Sequence, residues 1–398
     1  MKKILAMLLA LVMVMGLVAC GTDAPETTAP AETTDPAEST PAETNPAEST
    51  PAVSDVEYKI AMITDYGDIT DQSFNQTTYE AVKAFSEANG VAYNYYKPSG
   101  DSTAERIAMV DAAIVDGYNV IVMPGFAFGE TLAEVADLYP EFKFVALDVA
   151  EGEGGFTATE NVFSAVYQEE LSGYMAGYAA VKLGYKHLGY LGGMAVPAVQ
   201  RFGYGYLQGI DAAAKELGIV GDIKVEYVYG NQFYGDADIT AVMDTWYGEK
   251  GVECVFACGG GIWTSAAEAA AKVGGKVVGV DVDQAAIIDG QFGEGMCITS
   301  AMKGLAPTVM DTLAAIILED NWAAYAGKIE TLGLVSADPE ANYVQIPMAT
   351  TQFAEGFTAD DYKALVAAMF DGTITVSNDI AEFPVTEVAV EQYANIKG

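Results

Sequence analysis

The chain has 398 residues, of which 51% are hydrophobic, and a chain of this length is expected to divide its apolar residues between two cores. Its 19 Lys and Arg residues stand against 56 Asp and Glu residues, which gives a formal net charge of −37. Because this charge repels phosphate backbones, nucleic-acid binding is not an expected function.

The first twenty residues have the pattern of a bacterial export signal. Lys2 and Lys3 precede an apolar run over residues 4–18. At about 15 residues the run is shorter than the roughly 20 that cross a bilayer, so it favours a signal peptide over residues 1–19. The ending Leu17-Val-Ala-Cys20 resembles a lipobox, which implies acyl chains such as palmitate on Cys20. The alternative is an ordinary signal peptide with a chance cysteine.

A segment of different composition follows, over residues 20–55. Pro-Ala-Glu-Ser-Thr occurs at 36–40 and again at 46–50. Side chains of this kind cannot bury enough apolar surface to become ordered. The segment is therefore predicted to be a solvated tether. With the lipid on Cys20 it would hold the protein at the extracytoplasmic face of the cell membrane.

From residue 58 onward, short apolar strands alternate with amphipathic helices. Near-continuous apolar strands separated by helices indicate βαβ units and a parallel sheet. In the first half the predicted strands are 58–64, 91–96, 120–124 and 143–148, and the predicted helices are 76–89, 102–116 and 128–138. In the second half a helix is predicted over 165–183, strands over 187–191, 223–229, 253–258 and 276–281, and a strand and helix over 297–318. The pattern predicts an α/β protein with two doubly wound parallel-sheet lobes.

The cysteines and the histidine indicate no metal or redox site. Cys254 and Cys258 lie in one predicted buried strand, where their Cα atoms would be about 13 Å apart, too far for a disulfide. The single histidine, His187, lies at the start of a strand and cannot form a multi-histidine zinc site. No metal and no cofactor are expected.

Most candidate site residues come directly after strands, where ligands of such sheets bind. They combine carboxylates, which accept hydrogen bonds from hydroxyl groups, with phenylalanine rings and with glycines that permit close backbone approach. In the first half they are Asp65, Phe74, Asn75, Gly125 and Asp148, and in the second half Phe233, Gly259, Gly261, Asp281 and Lys303. This chemistry suits a neutral, hydroxyl-bearing molecule with an aromatic ring, so a nucleoside fits better than a nucleotide. Helix caps, turns and core packing are the alternative interpretation of each residue taken alone.

Taken together, these motifs resemble the basic membrane protein family. The resemblance is carried by Asp65-Tyr-Gly67, by Asp71-Gln-Ser-Phe-Asn-Gln76, and by segments 117–122, 140–148, 192–202, 279–284 and 299–303. It implies a type I periplasmic-binding-protein fold, two lobes joined by a hinge, and a purine nucleoside as ligand. It also implies permease and ATPase subunits of an ABC importer as partners. A monomeric solute-binding protein is expected, and not an enzyme.

The resemblance also assigns roles to individual residues. The base would stack between Phe74 and Phe233, with Phe202 or Tyr229 as substitutes for the latter. Asp65 and Asn75 would lie at the base edge, and Asp148, Asp281 and Lys303 would hold the ribose, near the backbone of Gly259 and Gly261. Asp148 and Asp281 are therefore expected to converge across one cleft.

The resemblance further implies that the chain passes between the lobes more than once. The first lobe is expected to contain residues 56–160 and 285–322, and the second residues 161–284 and 323–398. Trp263 departs from the family pattern and would either border the ligand pocket or pack in the core. A sugar or polyol as cargo, a ligand-sensing receptor without transport, and an enzyme that uses the carboxylates are the alternative functions.

Overall fold

The structure is a computed structural model that describes residues 56–398. The predicted signal peptide (1–19), the lipidation site Cys20 and the predicted tether (20–55) lie outside the described residues. The strands, in chain order, are β1 (Lys59–Ile63), β2 (Ala92–Tyr96), β3 (Val120–Pro124), β4 (Lys143–Leu147), β5 (Val162–Tyr167), β6 (His187–Gly192), β7 (Lys224–Tyr229), β8 (Cys254–Cys258), β9 (Lys276–Asp281), β10 (Cys297–Lys303), β11 (Lys328–Leu332), β12 (Val344–Gln345) and β13 (Ala389–Gln392). The α-helices are α1 (Phe74–Asn89), α2 (Thr103–Val115), α3 (Phe128–Val135), α4 (Glu169–Lys182), α5 (Pro197–Leu217), α6 (Ala237–Asp244), α7 (Trp263–Ala271), α8 (Ala285–Phe292), α9 (Leu305–Ile317) and α10 (Ala359–Phe370).

The strands form two sheets. The first has six strands in the order β11-β5-β4-β3-β1-β2, all paired in parallel. The second has seven strands in the order β12-β10-β9-β8-β6-β7-β13, parallel except for the pair of β10 and β12. Each sheet with its helices forms one lobe, and the predicted α/β class with two parallel-sheet lobes is confirmed.

Helices cover both faces of each sheet, which explains why the central strands are apolar throughout. In the first lobe, α1 and α9 pack on one face, and α2 and α3 pack on the other. In the second lobe, α4, α5 and α10 cover one face, and α6, α7 and α8 cover the other. The strands β3 and β8 are buried along their whole length, as expected for a parallel sheet between two helix layers.

The predicted division between the lobes is wrong in its boundaries. The strand β5 belongs to the first sheet, although the boundary at 160/161 assigned it to the second lobe. The strand β10 belongs to the second sheet, although the range 285–322 was assigned to the first, and β11 returns to the first sheet. The chain therefore crosses after β5, β10 and β11. The strands of both lobes have the same hydrophobic pattern in the sequence. That pattern therefore cannot show which sheet a given strand joins, and the three-dimensional structure is needed to show it.

The strand β5 was also missed as an element. Residues 165–167 were predicted as the start of a helix, whereas they end β5, and α4 begins at Glu169. Five of the six side chains of β5 are buried, so the strand has no alternation of apolar and polar residues. In the sequence, such a run looks the same as one turn of a buried helix. A short apolar run cannot be assigned to helix or strand by its period alone, which explains the error.

The helices α4 and α5 are in backbone contact because glycines line both of their facing sides. A Cβ atom at Gly177 of α4 would lie 2.2 Å from the carbonyl oxygen of Tyr206, and one at Gly205 of α5 would lie 2.1 Å from that of Glu170. The same holds for Gly173. This contact fixes the beginning of α4, with Glu169, against the beginning of α5.

Replacing Gly177 by alanine is expected to lower the free energy of unfolding by about 1–3 kcal/mol, because the two backbones would have to separate. The matched control is Gly290→Ala in α8, where a Cβ atom would meet nothing within 4 Å. That exposed helical position should gain about 0.4–1 kcal/mol from the loss of glycine entropy. Thermal denaturation of both variants tests this, and equal melting temperatures would contradict the close helix contact.

The three cysteines and the histidine of residues 56–398 lie on strands of the second sheet. Cys254 and Cys258 lie on the buried strand β8, and with Cys297 they are free and buried. His187 begins β6, and its Nε2 atom lies 2.9 Å from the buried Glu226 carboxylate. Among the helices of residues 56–398, none has the length and apolar character needed to cross a membrane.

Candidate functional site

One cavity brings together residues that follow strands of both sheets. The first lobe contributes Asp65 after β1, Gly125 after β3 and Asp148 after β4, and the second contributes Gly259 after β8 and Asp281 at the end of β9. Nine of the ten predicted ligand-binding residues line this cavity: Asp65, Phe74, Asn75, Gly125, Asp148, Phe233, Gly259, Asp281 and Lys303. The two sets of strand ends therefore face a common space.

Asp148 and Asp281 occupy corresponding positions in the two lobes. Both have left-handed backbone conformations, with φ of 61° and 65°. Such a conformation costs of the order of 1–3 kcal/mol for a residue other than glycine, and it persists only where the surroundings hold it. The Lys303 Nζ atom lies 2.5 Å from Asp148 Oδ2 and 3.8 Å from Asp281 Oδ1. The two carboxylates thus meet at one ammonium group, as expected.

Lys303 is buried at the end of β10 among acidic groups. It also lies 3.4 Å from Glu169 Oε1, and its Nζ atom is 4.7 Å from the centre of the Phe74 ring. Burial by itself lowers the pKa of Lys303, but the carboxylates of Asp148, Glu169 and Asp281 outweigh burial and raise this pKa above its ordinary value. Lys303 therefore remains charged in a site that is largely closed to water.

The carboxylate of Asp148 has one oxygen atom left for a further contact. Its Oδ2 atom pairs with Lys303, whereas Oδ1 is buried and has no hydrogen-bond partner among residues 56–398. Burial raises the pKa of Asp148 to about 7, and the Lys303 ammonium opposes this rise. An unpaired buried acceptor costs about 1–3 kcal/mol. A ligand hydroxyl group that donates a hydrogen bond to this oxygen would remove that cost and so favour binding.

Asp65 and Asn75 form a second hydrogen-bonded group in the cavity lining. Asn75 Nδ2 donates to Asp65 Oδ1 at 2.9 Å and to Asp71 Oδ2 at 3.1 Å. Asp71 itself accepts the backbone N–H groups of Asn75 and Gln76, so it acts as a turn and helix-start residue. Burial raises the pKa of Asp65 to about 6. A Cβ atom at Gly125 would lie 2.3 Å from Asp65 Oδ2. The absence of a side chain at Gly125 therefore makes room for this carboxylate.

The three consecutive glycines after β8 hold the segment that carries Phe233. A Cβ atom at Gly259 would lie 2.9 Å from the Phe233 ring, and one at Gly260 would lie 2.6 Å from the Phe233 carbonyl oxygen. Gly260 lines the cavity, whereas Gly261 does not. Gly261 instead donates its N–H to the Phe233 carbonyl oxygen at 2.8 Å. The predicted placement of Gly261 in the pocket is thus corrected, because its backbone faces the Phe233 segment.

Four phenylalanine residues line the cavity, namely Phe74, Phe126, Phe202 and Phe233. Phe74 and Phe233 are in the predicted places, and Phe202, considered as a substitute for Phe233, lines the cavity as well. Tyr229, the other substitute, is not among the lining residues. Trp263 is also absent from the lining and packs in the core between the sheet and α6–α8, which decides between its two predicted positions.

Some residues at the cavity were not among the predicted site residues. Arg201 and Glu153 line the cavity, and Arg201 Nε donates to Glu169 Oε2 at 2.6 Å. Glu169 is fully buried and joins Arg201 to Lys303. Arg201 lies within a segment that carries the family resemblance, but Glu169 was hidden by the missed boundary between β5 and α4.

Side chains of the two lobes also contact each other directly. Ser73 Oγ of the first lobe donates to Asp281 Oδ2 of the second at 2.5 Å. Gln284 Nε2 of the second lobe donates to the Gln72 carbonyl oxygen at 2.9 Å. The two lobes are therefore joined by hydrogen bonds, one of which ends on Asp281 of the cavity lining.

Comparison with protein families matches residues 58–336 to the family described as ABC transporter substrate-binding protein PnrA-like. The chain is 29% identical over 241 residues to the ABC transporter nucleoside-binding protein BmpA of Lactococcus lactis, covering 57% of this chain and 65% of that protein, slightly less than two thirds. It is 27% identical over 292 residues to basic membrane protein B of Borreliella afzelii, covering 69% and 78%. It is 29% identical over 185 residues to an uncharacterized lipoprotein of Pyrococcus abyssi, covering 46% and 44%.

Among solved structures, the fold matches an ABC transporter system solute-binding protein from Aeropyrum pernix. The TM-score is 0.62 at 23% identity, and the match covers 80% of this chain and 87% of that one. This likeness identifies the type I periplasmic-binding fold. Because the family model spans more than half of the chain, the chain belongs to the family of PnrA-like ABC transporter substrate-binding proteins, which are not enzymes.

Proposed function

We propose that the chain binds a purine nucleoside in the cavity between its lobes and delivers it to an ABC importer. The observation that supports this most strongly is the joint presence of Phe74, Phe233 and the cluster of Asp148, Asp281 and Lys303 in one cavity. Aromatic faces suit a planar base, and the charged cluster suits a sugar with vicinal hydroxyl groups. The relative named as nucleoside-binding points in the same direction.

The charges of the cavity favour an uncharged ligand over a phosphorylated one. Its lining includes five acidic side chains and two basic ones, namely Asp65, Asp71, Asp148, Glu153, Asp281, Arg201 and Lys303. Both basic groups are already engaged by carboxylates. A phosphate group would therefore meet net repulsion, whereas hydroxyl and amino groups can donate to the carboxylates.

The contacts available are sufficient for tight binding. Stacking on an aromatic ring is worth about 0.5–1.5 kcal/mol beyond the area that it buries. Hydrogen bonds to charged groups contribute about 1.5–3 kcal/mol each. With two or three such bonds and the burial of a base, a dissociation constant between micromolar and nanomolar, about −8 to −12 kcal/mol, is expected.

A ligand panel tests the proposal directly. Inosine, guanosine and adenosine are each expected to raise the melting temperature of residues 56–398, because a ligand that binds only the folded state at 100 times its Kd adds about 2.7 kcal/mol of stability. Ribose, glucose and galactose are expected to have little effect on the melting temperature. The 5′-monophosphates of the three nucleosides are also expected to have little effect. Differential scanning fluorimetry, followed by calorimetric titration of the best ligand, provides the measurement.

The panel also separates the alternatives. Stabilisation by a free sugar, with no response to nucleosides, would overturn the proposal in favour of a sugar- or polyol-binding protein. Chromatography of the nucleoside after prolonged incubation should recover it unchanged, because a binding protein does not cleave the glycosidic bond.

The location and the partners are part of the same proposal. A lipid anchor on Cys20 would place the protein on the extracytoplasmic side of the cell membrane, next to permease and ATPase subunits, as a monomer. A relative named as a lipoprotein is consistent with such an anchor.

Cys20→Ser should release the protein from the membrane fraction and abolish labelling with a palmitate analogue. Loss of nucleoside uptake in a deletion strain would distinguish import from ligand sensing.

A further inference from the structure

The segment after β13, residues 393–398, runs alongside the loop that carries Phe233. We call residues 393–398 the clamp segment and residues 230–236 the Phe233 loop. The clamp segment lies beyond residues 58–336, the range that defines the family membership.

The clamp segment continues the pairing of the last two strands of the second sheet. The strand β13 pairs in parallel with β7, from Ala389 opposite Lys224 to Gln392 opposite Tyr227. Beyond the strand end, the Ile396 N–H donates to the Tyr229 carbonyl oxygen at 2.9 Å. The clamp segment thus follows the chain from β7 into the beginning of the Phe233 loop.

Lys397 contacts both ends of the loop. Its backbone N–H donates to the Gly230 carbonyl oxygen at 3.3 Å, and its Nζ atom lies 2.8 Å from Asp236 Oδ2. Lys397 Nζ also pairs with the Asp238 carboxylate. The Lys397 ammonium holds the pKa of Asp236 well below its ordinary value, at about 2, so this carboxylate is ionised and the pair is charged.

Asp236 transmits this contact to the loop and to the helix behind it. Its Oδ1 atom accepts the backbone N–H groups of Asp238 and Ile239 and so caps α6. Its Oδ2 atom accepts from Gln232 Nε2 at 3.1 Å, on the other side of Phe233. Asp236 therefore joins Lys397, the first turn of α6 and the residue that precedes Phe233.

The Phe233 ring is sensitive to the position of this loop because it lies between the lobes. It lines the cavity, and its centre lies 6.0 Å from that of Tyr66 in the first lobe. The neighbouring Tyr234 is 62% exposed, so packing does little to fix the outer part of the loop. Electrostatic and backbone contacts from the clamp segment add to the hydrogen bond from the Gly261 N–H in restraining the loop.

We infer that Lys397 is a positioning residue for ligand capture, which acts through Asp236 to hold the Phe233 loop in the conformation that presents the Phe233 ring to the ligand. This inference rests on the proposed function, because it takes Phe233 as a ligand contact. Lys397 does not touch the cavity, so its effect on binding passes through the loop.

A set of variants tests the inference with the nucleoside that stabilises the wild-type protein most. Lys397→Met is expected to weaken binding about 3- to 10-fold, because the loop must then be ordered when the ligand binds. Lys397→Arg, which keeps the charge, should bind within about twofold of the wild type. The matched control is Lys272→Met, since Lys272 is a more exposed lysine of the second lobe that also pairs with two carboxylates, those of Asp244 and Glu268.

A double mutant separates positioning from a general loss of stability. In a Phe233→Ala background, Lys397→Met should cause no further loss of affinity, because the side chain that it positions is gone. The same loss in both backgrounds, or no loss in the wild-type background, would refute the positioning role.

Hydrogen exchange gives a readout that needs no ligand. Backbone amides of residues 230–236 are expected to exchange faster in Lys397→Met than in the wild type or in Lys272→Met. If the wild-type protein binds no nucleoside, the proposed function fails and this comparison still tests the clamp. If nucleosides bind but neither affinity nor exchange responds to Lys397→Met, only the clamp is refuted.

Discussion

Replacing Lys303 by methionine is expected to lower the free energy of unfolding by about 3–5 kcal/mol and to abolish ligand binding. The variant keeps a side chain of similar volume but removes the only ammonium that the structure places against the Asp148, Glu169 and Asp281 carboxylates together. Asp148 and Asp281 would then lose their buried cation and Glu169 would keep only Arg201, which costs more than the loss of an exposed ion pair.

The pH dependence of this variant gives a second check. Without the lysine, the pKa values of Asp148 and Asp281, which burial already raises, should rise further, so that the folded state binds protons more tightly than the unfolded state. A carboxyl group whose pKa is higher in the folded state than in the unfolded state destabilises the fold once the pH exceeds the unfolded-state pKa, near 4. This loss of stability grows as the pH rises to the folded-state pKa and is then constant. Denaturation at pH 5 and pH 8 should therefore show the larger deficit at pH 8. Lys272→Met, at an exposed pair, is the control, and a Lys303→Met variant as stable as this control would contradict the buried cluster.

Asp148→Asn is expected to weaken nucleoside binding about 10- to 100-fold while binding of the free base changes little. The carboxylate has an unpaired Oδ1 atom that can accept a hydroxyl hydrogen bond, and an amide is a weaker acceptor with one oxygen. The protein should stay folded, because asparagine keeps the size of the side chain and can still accept from Lys303. Calorimetric titration with a nucleoside and with its base provides the comparison.

The same residue predicts how affinity depends on pH. Burial raises the pKa of Asp148 to about 7 in the ligand-free protein, and the ionised form is the one that accepts two hydrogen bonds. Ligand hydroxyl groups should lower this pKa, so binding releases protons and affinity rises with pH from about 6 to 8. Asp148→Asn should remove that component. An equal rise of affinity in the variant would assign the titration to another group, such as Asp65.

Phe74 and Phe233 could be predicted from the sequence as candidate ring contacts, but only the family resemblance gave them a stacking role. Each is an aromatic residue after a strand, and an aromatic residue in that position also occurs in cores, as Trp263 does. Local sequence does not distinguish the two environments, because both are apolar. The distinction depends on which side of the sheet the following helix covers.

The amino-acid sequence by itself determined the alternation of strands and helices, the two-lobed α/β class, and the positions of the carboxylates and glycines after strands. These features depend on local hydrophobic period and on the conformational needs of single residues, which a sequence displays directly. Only the tertiary structure decided that β5 and β11 join the first sheet and β10 the second, and that Gly261 supports Phe233 from outside the cavity. It likewise brought Arg201 and Glu169 to the site and laid Lys397 against Asp236. Such contacts join residues that are far apart in the chain. Many strands and helices have similar local sequence patterns, so the sequence alone does not show which of them pack against each other.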